Sequence, residues 1–269
     1  DFMDEYQVYL RDIKRASDSY QKMNRSTINI VKSYLTSIRR PRILLSKVDK
    51  RFYLNLLAYV RDTYKNTKSP DKPKELSGNT KLVFQTTLNT MLNHAVKKGL
   101  LLRNPFYEIE VREKFGKVPS DRTFLTIEEV NSMAKAPTGS PGTKQTFMFC
   151  CFTGLRHGDM ATLRWKDIRK TDEGEVIFVP SMQKTKHPVI VPLGKQAKSW
   201  MPERPKDANE QLVFPNAPKL GAANRALKTM AKRAGINKLV TFHCSSHSKI
   251  YNPIKINLLG SSQLVTANG

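Results

Sequence analysis

The chain has 269 residues, with 46 Lys and Arg against 23 Asp and Glu, giving a net charge of +23 and an isoelectric point near 10.0. That length predicts two domains at the usual ~100–200 residues each. The charge excludes the near-neutral surface of an ordinary enzyme of small substrates and points to a polyanionic partner.

Residues 1–100 hold 20 basic and 9 acidic side chains, so the surplus is spread over both halves and is not a charged tail. This is expected when both halves touch phosphate, since each neutralised phosphate releases counterions. A ribosome-associated or merely very basic protein would look similar at this level. No apolar run reaches ~18 residues, and Asp1-Phe2-Met3-Asp4-Glu5 is acidic where a signal peptide would be basic. The expectation is a soluble, non-exported protein of a cytoplasm. Cys150, Cys151 and Cys244 form no CxxC pair, and the first two sit in the apolar run Phe147 to Phe152, so buried thiols are expected. A start at Asp1 with no initiator Met reads as a piece of a longer chain.

In chain order, Phe2, Tyr6, Val8, Tyr9 and Leu10 recur at roughly helical spacing. Ile28, Ile30, Val31, Tyr34, Leu35 and Ile38 do so again after Ser26-Thr27, which reads as a helix start. A third helix runs through Phe52, Leu54, Leu56, Leu57, Tyr59 and Val60, and Ser69-Pro70-Asp71-Lys72-Pro73 reads as an exposed loop. Asn79-Thr80 reads as the cap of the clearest helix of this half, which carries Leu82, Val83, Leu88, Met91, Leu92, Ala95 and Val96 and stops at Lys97-Lys98-Gly99. The expected organisation is an all-helical domain over 1–110, closing at Asn104-Pro105-Phe106, then a polar linker over 111–122 with Gly116, Pro119 and Ser120, then a second domain over 123–269.

Thr126-Ile127-Glu128-Glu129 is a capping box that opens the second domain. Lys144 to Thr153 reads as an apolar helix, and Gly154 to Leu163 as another ending around Trp165-Lys166-Asp167. The β-branched runs Glu175 to Val179 and Val189 to Leu193, separated by Gln183-Lys184-Thr185-Lys186-His187, predict a hairpin or small sheet with a basic turn. Ala222 to Lys238 returns to helix. The fold class is therefore mainly α with a small antiparallel β-sheet or hairpin: a helical domain followed by a mixed α+β domain.

Thr153-Gly154-Leu155-Arg156 and the Asp159, Leu163 and Trp165-Lys166-Asp167-Ile168 that follow resemble the first conserved box of tyrosine recombinases, the phage integrase family. The resemblance continues in register through Lys184 ahead of Val189-Ile190-Val191-Pro192-Leu193, and through Thr241-Phe242-His243-Cys244-Ser245, which is similar to the opening of the second box. Upstream, the helical half resembles the family's SAM-like core-binding domain, and the details resemble integrases of Bacteroidetes mobile elements such as conjugative transposons. The resemblance implies a site-specific recombinase for integration, excision or transposition that cuts and rejoins double-stranded DNA through a 3′-phosphotyrosyl link. It needs no cofactor or metal, is a monomer when free, and acts as a homo-tetramer on DNA at synapsis.

Such chemistry needs cationic donors for charge building on the phosphoryl oxygens and an acid for the leaving oxygen. Arg156 offers a planar, permanently charged fork for two oxygens, and Asp159, one turn later, is placed to orient it. The resemblance assigns the acid to Lys184, with Lys186 as competitor or phosphate clamp, and a proton-shuttling or donor role to His243. A basic hairpin tip is in general as often a simple phosphate clamp, and an isolated His beside Phe and Cys is more often a packed core residue. Asn79, Thr80 and Lys81, at the start of the last helix of the first half, are expected DNA contacts.

The match then breaks. Ser246 stands where the second box has its Arg, and Ser261, in Leu258-Leu259-Gly260-Ser261-Ser262, stands where His or Trp is expected. The family spacing from Gly260 puts the nucleophilic tyrosine past Gly269, and Tyr251 is at the wrong distance to replace it. The alternative is a catalytically inactive integrase-like protein that binds DNA as a regulator or architectural factor. A metal-dependent nuclease or an RNA-binding protein is disfavoured, because clustered Asp, Glu and His ligands and RNA-binding aromatic motifs are lacking.

Overall fold

The computed structural model describes residues 1–66, 74–119, 123–182 and 188–247. The chain divides into two compact units, Asp1–Ser120 and Asp121–Gly269.

The first unit begins with α1 (Phe2–Val8), capped by the Asp1 carboxylate, which accepts from the Asp4 amide at 3.0 Å. It runs on into a π-helical turn, Tyr9–Ile13. α2 (Asp18–Ser37) is capped by Ser17, not by Ser26-Thr27. Its first two turns are mostly polar, so the apolar stripe begins later than the helix does. There the buried Asn24 amide donates to the Tyr20 carbonyl at 2.8 Å. α3 (Lys50–Asp62) starts at Asp49, whose carboxylate accepts from the Phe52 amide at 2.7 Å. Two short strands, β1 (Lys65–Asn66) and β2 (Lys74–Glu75), pair antiparallel with Lys65 opposite Glu75, so the unit is not purely helical. The expected loop Ser69 to Pro73 lies outside the described residues.

α4 (Gly78–Lys97) is capped by Ser77, two residues before the cap expected at Asn79-Thr80, and ends where Gly99 takes φ 71°. The glycine makes that left-handed exit cheap. Ile28, Val31 and Leu35 of α2, Tyr53, Leu56 and Val60 of α3, and Phe84, Leu88 and Met91 of α4 form the buried core with Tyr6 and Leu10. The Asn104 side chain, 4% exposed, ties the exit: its amide donates to Asn89 Oδ1 and Asn93 Oδ1 at 2.7 Å each, and its oxygen accepts from the Phe106 amide. Beyond it, the Phe115 amide donates to Gln85 Oε1 at 2.8 Å and the Val118 amide to Asn79 Oδ1 at 3.2 Å. Residues as far as Val118 therefore lie on this unit.

The His94 ring of α4 packs at a tilt against two tyrosines, its centroid 4.1 Å from that of Tyr9 and 5.1 Å from that of Tyr6. Burial first, then Lys98, Lys97 and Lys14, hold its pKa below the ordinary 6.5. The unfolded chain therefore takes up this proton more readily than the folded one. The resulting stabilisation is present above pH 6.5 and is lost as the pH falls through the unfolded value toward the lower folded one. The melting temperature is expected to fall more steeply between pH 7 and 5 in the wild type than in His94→Phe; parallel profiles would show that His94 is not the titrating group.

The second unit opens with α5 (Ile127–Lys135) and the expected capping box: Thr126 Oγ1 accepts from the Glu129 amide while Glu129 accepts from the Thr126 amide. α6 (Pro141–Thr153) is the central helix, with Phe147, Met148, Phe149, Cys150 and Cys151 all buried, as a helix apolar on all sides must be. α7 (His157–Ala161) follows, then a 3-10 turn at Trp165–Asp167.

β3 (Ile168–Thr171), β4 (Gly174–Val179) and β5 (Val189–Pro192) form a three-stranded antiparallel sheet in that order, with Ile177 opposite both Ile168 and Val191. Only the last two strands were legible as β-branched runs. α8 (Lys195–Lys198) and α9 (Leu220–Arg233) precede a 3-10 turn at Phe242–His247. α9 stops before the expected Lys238, as Gly235 takes φ 72°. Phe147, Phe149, Met160, Leu163, Ile177, Val213, Leu227 and Phe242 belong to one buried core. The architecture is mainly helical with a small antiparallel sheet.

Candidate functional site

Gly154 ends α6 with φ 69°, a conformation that costs a residue with a Cβ roughly 1 kcal/mol. The chain reverses there, burying Leu155 and placing the half-buried Arg156 as the N-cap residue of α7. Asp159, in the first turn of α7, is 4% exposed. Arg156 thus stands at a helix start, where backbone amides and a guanidinium together favour an anion.

The next residue, His157, links this corner to the rest of the unit. Its Nε2 lies 3.0 Å from the Pro218 carbonyl, and because a carbonyl only accepts, Nε2 carries the proton. Its ring meets the Phe242 ring edge to face, 4.7 Å between centroids at 86°. Phe242 is 1% exposed and makes a second edge-to-face contact with Phe147 of α6 at 5.6 Å. Its amide donates to Asn224 Oδ1 on α9 at 2.8 Å.

His243, immediately after Phe242, is exposed. The two motif segments are therefore joined through chain neighbours of the motif residues: Arg156 precedes one member of the His157–Phe242 pair, and His243 follows the other. Sequence reasoning singled out Arg156 and His243 and missed His157, Phe242 and Asn224; the signal was the position of the first two directly beside the motif residues.

The rest of the second segment is closed on itself. Ser245 Oγ donates to the Phe242 carbonyl at 2.8 Å, and Ser246 Oγ to the His243 carbonyl at 3.0 Å. The Thr241 amide donates to Cys244 Sγ at 3.3 Å. Burial, with Cys151 and Asp159 nearby, pushes the Cys150 thiol well up, so it is no nucleophile at neutral pH. Lys184, Lys186, Tyr251 and Ser261 lie outside the described residues, although the flanking strands β4 and β5 are described. Of the nine tyrosines, the eight described ones all fall in the first unit.

Asn79, Thr80 and Lys81 sit in the first turn of α4 and are engaged within their own unit. Asn79 Oδ1 holds the Val118 amide, Thr80 Oγ1 is 2.7 Å from Ser77 Oγ, and Lys81 Nζ donates to the Arg61 carbonyl at the end of α3 at 3.1 Å. Among the described residues no three His, Cys, Asp or Glu side chains gather as metal ligands, and no helix is long and apolar enough to cross a membrane.

Comparison with known proteins matches residues 1–113 to the phage integrase SAM-like domain and residues 123–249 to the phage integrase family. Among solved structures, the fold is similar to a lambda integrase dimer bound to a COC′ core site, at 18% identity and a TM-score of 0.66 over 91% of this chain and 82% of that one. It is also similar to the Tn1549 transposon integrase in complex with circular intermediate DNA, at 14% identity and 0.63 over 92% and 84%. A third likeness is to the XerH site-specific recombinase bound to difH substrate, at 15% and 0.59 over 91% and 72%. No curated protein matches the sequence.

Proposed function

From the premise that the chain carries the two domains of the phage integrase family, the tyrosine recombinases, we propose that it is a site-specific DNA recombinase of a mobile element. Its substrate is double-stranded DNA, and its product is a strand rejoined through a 3′-phosphotyrosyl intermediate. The observation that supports this reading is the His157–Phe242 contact, which joins the two motif segments that carry Arg156 and His243.

In the reaction, Arg156 holds two nonbridging oxygens of the scissile phosphate and is strongest where their charge builds up. Asp159 orients the backbone and guanidinium of that corner. His243 donates to a phosphoryl oxygen or shuttles the nucleophile's proton, and Lys184, with Lys186 as its competitor, protonates the departing 5′ oxygen. The phosphoryl group passes from the 5′ oxygen to the tyrosine oxygen, and the reverse transfer to a new 5′ hydroxyl rejoins the strand. The first unit acts as the core-binding domain, with assembly into a tetramer on DNA at synapsis, an origin in a Bacteroidetes conjugative transposon, and residence with bacterial nucleoid DNA.

A second reading is favoured by one observation. Ser246, in the place of the second arginine, is neutral and donates back to the His243 carbonyl. Losing one preorganised donor costs a factor of about 10²–10³ in rate, and a protein so depleted would bind DNA as a regulator without cutting it.

A nicked duplex that loses its leaving fragment, offered to a protein that includes the tyrosine expected past Gly269, separates the two. The recombinase accumulates a protein–DNA adduct that survives denaturing electrophoresis, and the regulator retards the duplex but leaves no adduct. Retardation itself is expected to weaken steeply with salt; a flat response would remove DNA as the partner in both readings.

A further inference from the structure

The connection between α2 and α3 carries Arg39, Arg40, Arg42, Lys47, Lys50 and Arg51 within 13 residues, against the single acid Asp49. All six cations are exposed, and none of them forms an ion pair among the described residues. Asp49 does not neutralise them, because its carboxylate is used to cap α3. Some cations elsewhere in the same unit are partnered: Arg103 pairs with Glu108 at 2.7 Å, Arg112 with Glu110 at 2.8 Å, and Lys32 with Asp4 at 3.3 Å.

The backbone adds a second, independent observation. Arg39 has φ 56°, one of three non-glycine residues with positive φ among those described. Its amide donates to the Thr36 carbonyl and the Arg40 amide to the Leu35 carbonyl, both at 2.9 Å, which is the paired closure of a helix end. At that position glycine is preferred and an arginine is strained. Strain kept at an exposed site is a pointer to use of the side chain, and here the strained residue is the first of the six cations.

We infer that this α2–α3 connection is a phosphate-backbone contact for duplex DNA, separate from the candidate catalytic corner and from the first turn of α4. The inference rests on the DNA-binding reading above and locates where the first unit takes hold. Guanidinium groups that have no carboxylate to hold them exchange water for phosphate oxygens and release counterions from the duplex, without reading base sequence. Asn79 and Lys81, the contacts expected from sequence, each make a hydrogen bond within the unit.

The test is the salt dependence of binding to a fluorescent 25-base-pair duplex, measured on the full chain. Each lost phosphate contact flattens the slope of log affinity against log salt by ~0.9, so Arg40→Gln with Arg42→Gln should flatten it by about 1.8. The control, Arg103→Gln with Arg112→Gln, removes the same charge from arginines already paired and should leave the slope unchanged.

Arg39→Gly separates a structural role from a binding one: it should raise the melting temperature by relieving the backbone while weakening duplex binding. Equal flattening in the patch and control variants would reduce the effect to net charge and overturn the inference, and so would an unchanged slope in the patch variant. A wild type with no salt-steep binding fails the parent reading itself, before any variant is compared.

Discussion

In the protein that includes the nucleophilic tyrosine expected past Gly269, Arg156→Ala should lower strand cleavage by a factor of about 10²–10³, the usual loss on removing a preorganised donor to developing phosphoryl charge, while duplex retardation stays within a few-fold of wild type. The asymmetry follows from its place in the fold. Arg156 is one cation among 46 basic residues, so its share of sequence-independent attraction is small. Its helix-start position beside the His157–Phe242 junction is what makes it specific. Arg156→Lys should recover binding fully and cleavage only in part, since a lysine cannot grip two oxygens in a plane. The measurement is adduct formation on nicked duplex against retardation on intact duplex. Adduct formation at the wild-type rate in Arg156→Ala would remove this residue from the chemistry.

The second large effect is on stability. Phe242→Ala should cost the second unit about 3–5 kcal/mol, the usual range for deleting a buried phenyl ring. Phe242 touches both Phe147 of the central helix and His157 of α7, and the ring is 1% exposed. Both tryptophans, Trp165 and Trp200, lie in this unit, so their fluorescence in a urea titration reads its unfolding without interference from the other. Phe242→Leu fills part of the space and should lose markedly less. A midpoint unmoved by the alanine variant would mean that this ring does not hold the two segments together.

Much of the fold was legible because its signals are local. The capping box at Thr126 and Glu129, the stop at Gly99, and the β-branched runs of β4 and β5 are each written in a few adjacent residues. What escaped has a physical reason in each case. α2 starts at Ser17 because its first turns need only a cap and an occasional inward side chain, Tyr20 or Asn24, so no apolar stripe announces them. β3, Ile-Arg-Lys-Thr, is an edge strand with two exposed cations, and its sequence carries no run to notice.

The candidate site divides in the same way. The identities of Arg156 and His243 were readable from their motifs, whereas the contact that joins their segments depends on residues 85 positions apart, His157 and Phe242, and on Asn224 from a third helix. No local pattern records a contact of that range. Asn79 and Lys81 add bonds that sequence does not show: the Asn79 side chain accepts from the Val118 amide and Lys81 donates to the Arg61 carbonyl, each reaching a residue at least 20 positions away.

Cys150, Cys151 and Cys244 are all buried and reduced, and all three belong to the second unit. The natural chain therefore carries a built-in clock for one half of itself. An alkylating reagent can modify these sulfurs only when that half opens, so the rate of mass gain under native conditions measures its opening equilibrium. The helical half has no thiol and is silent. Adding DNA to such an experiment would report directly whether nucleic acid holds the second unit shut, without a label, an engineered residue or any assay of cutting.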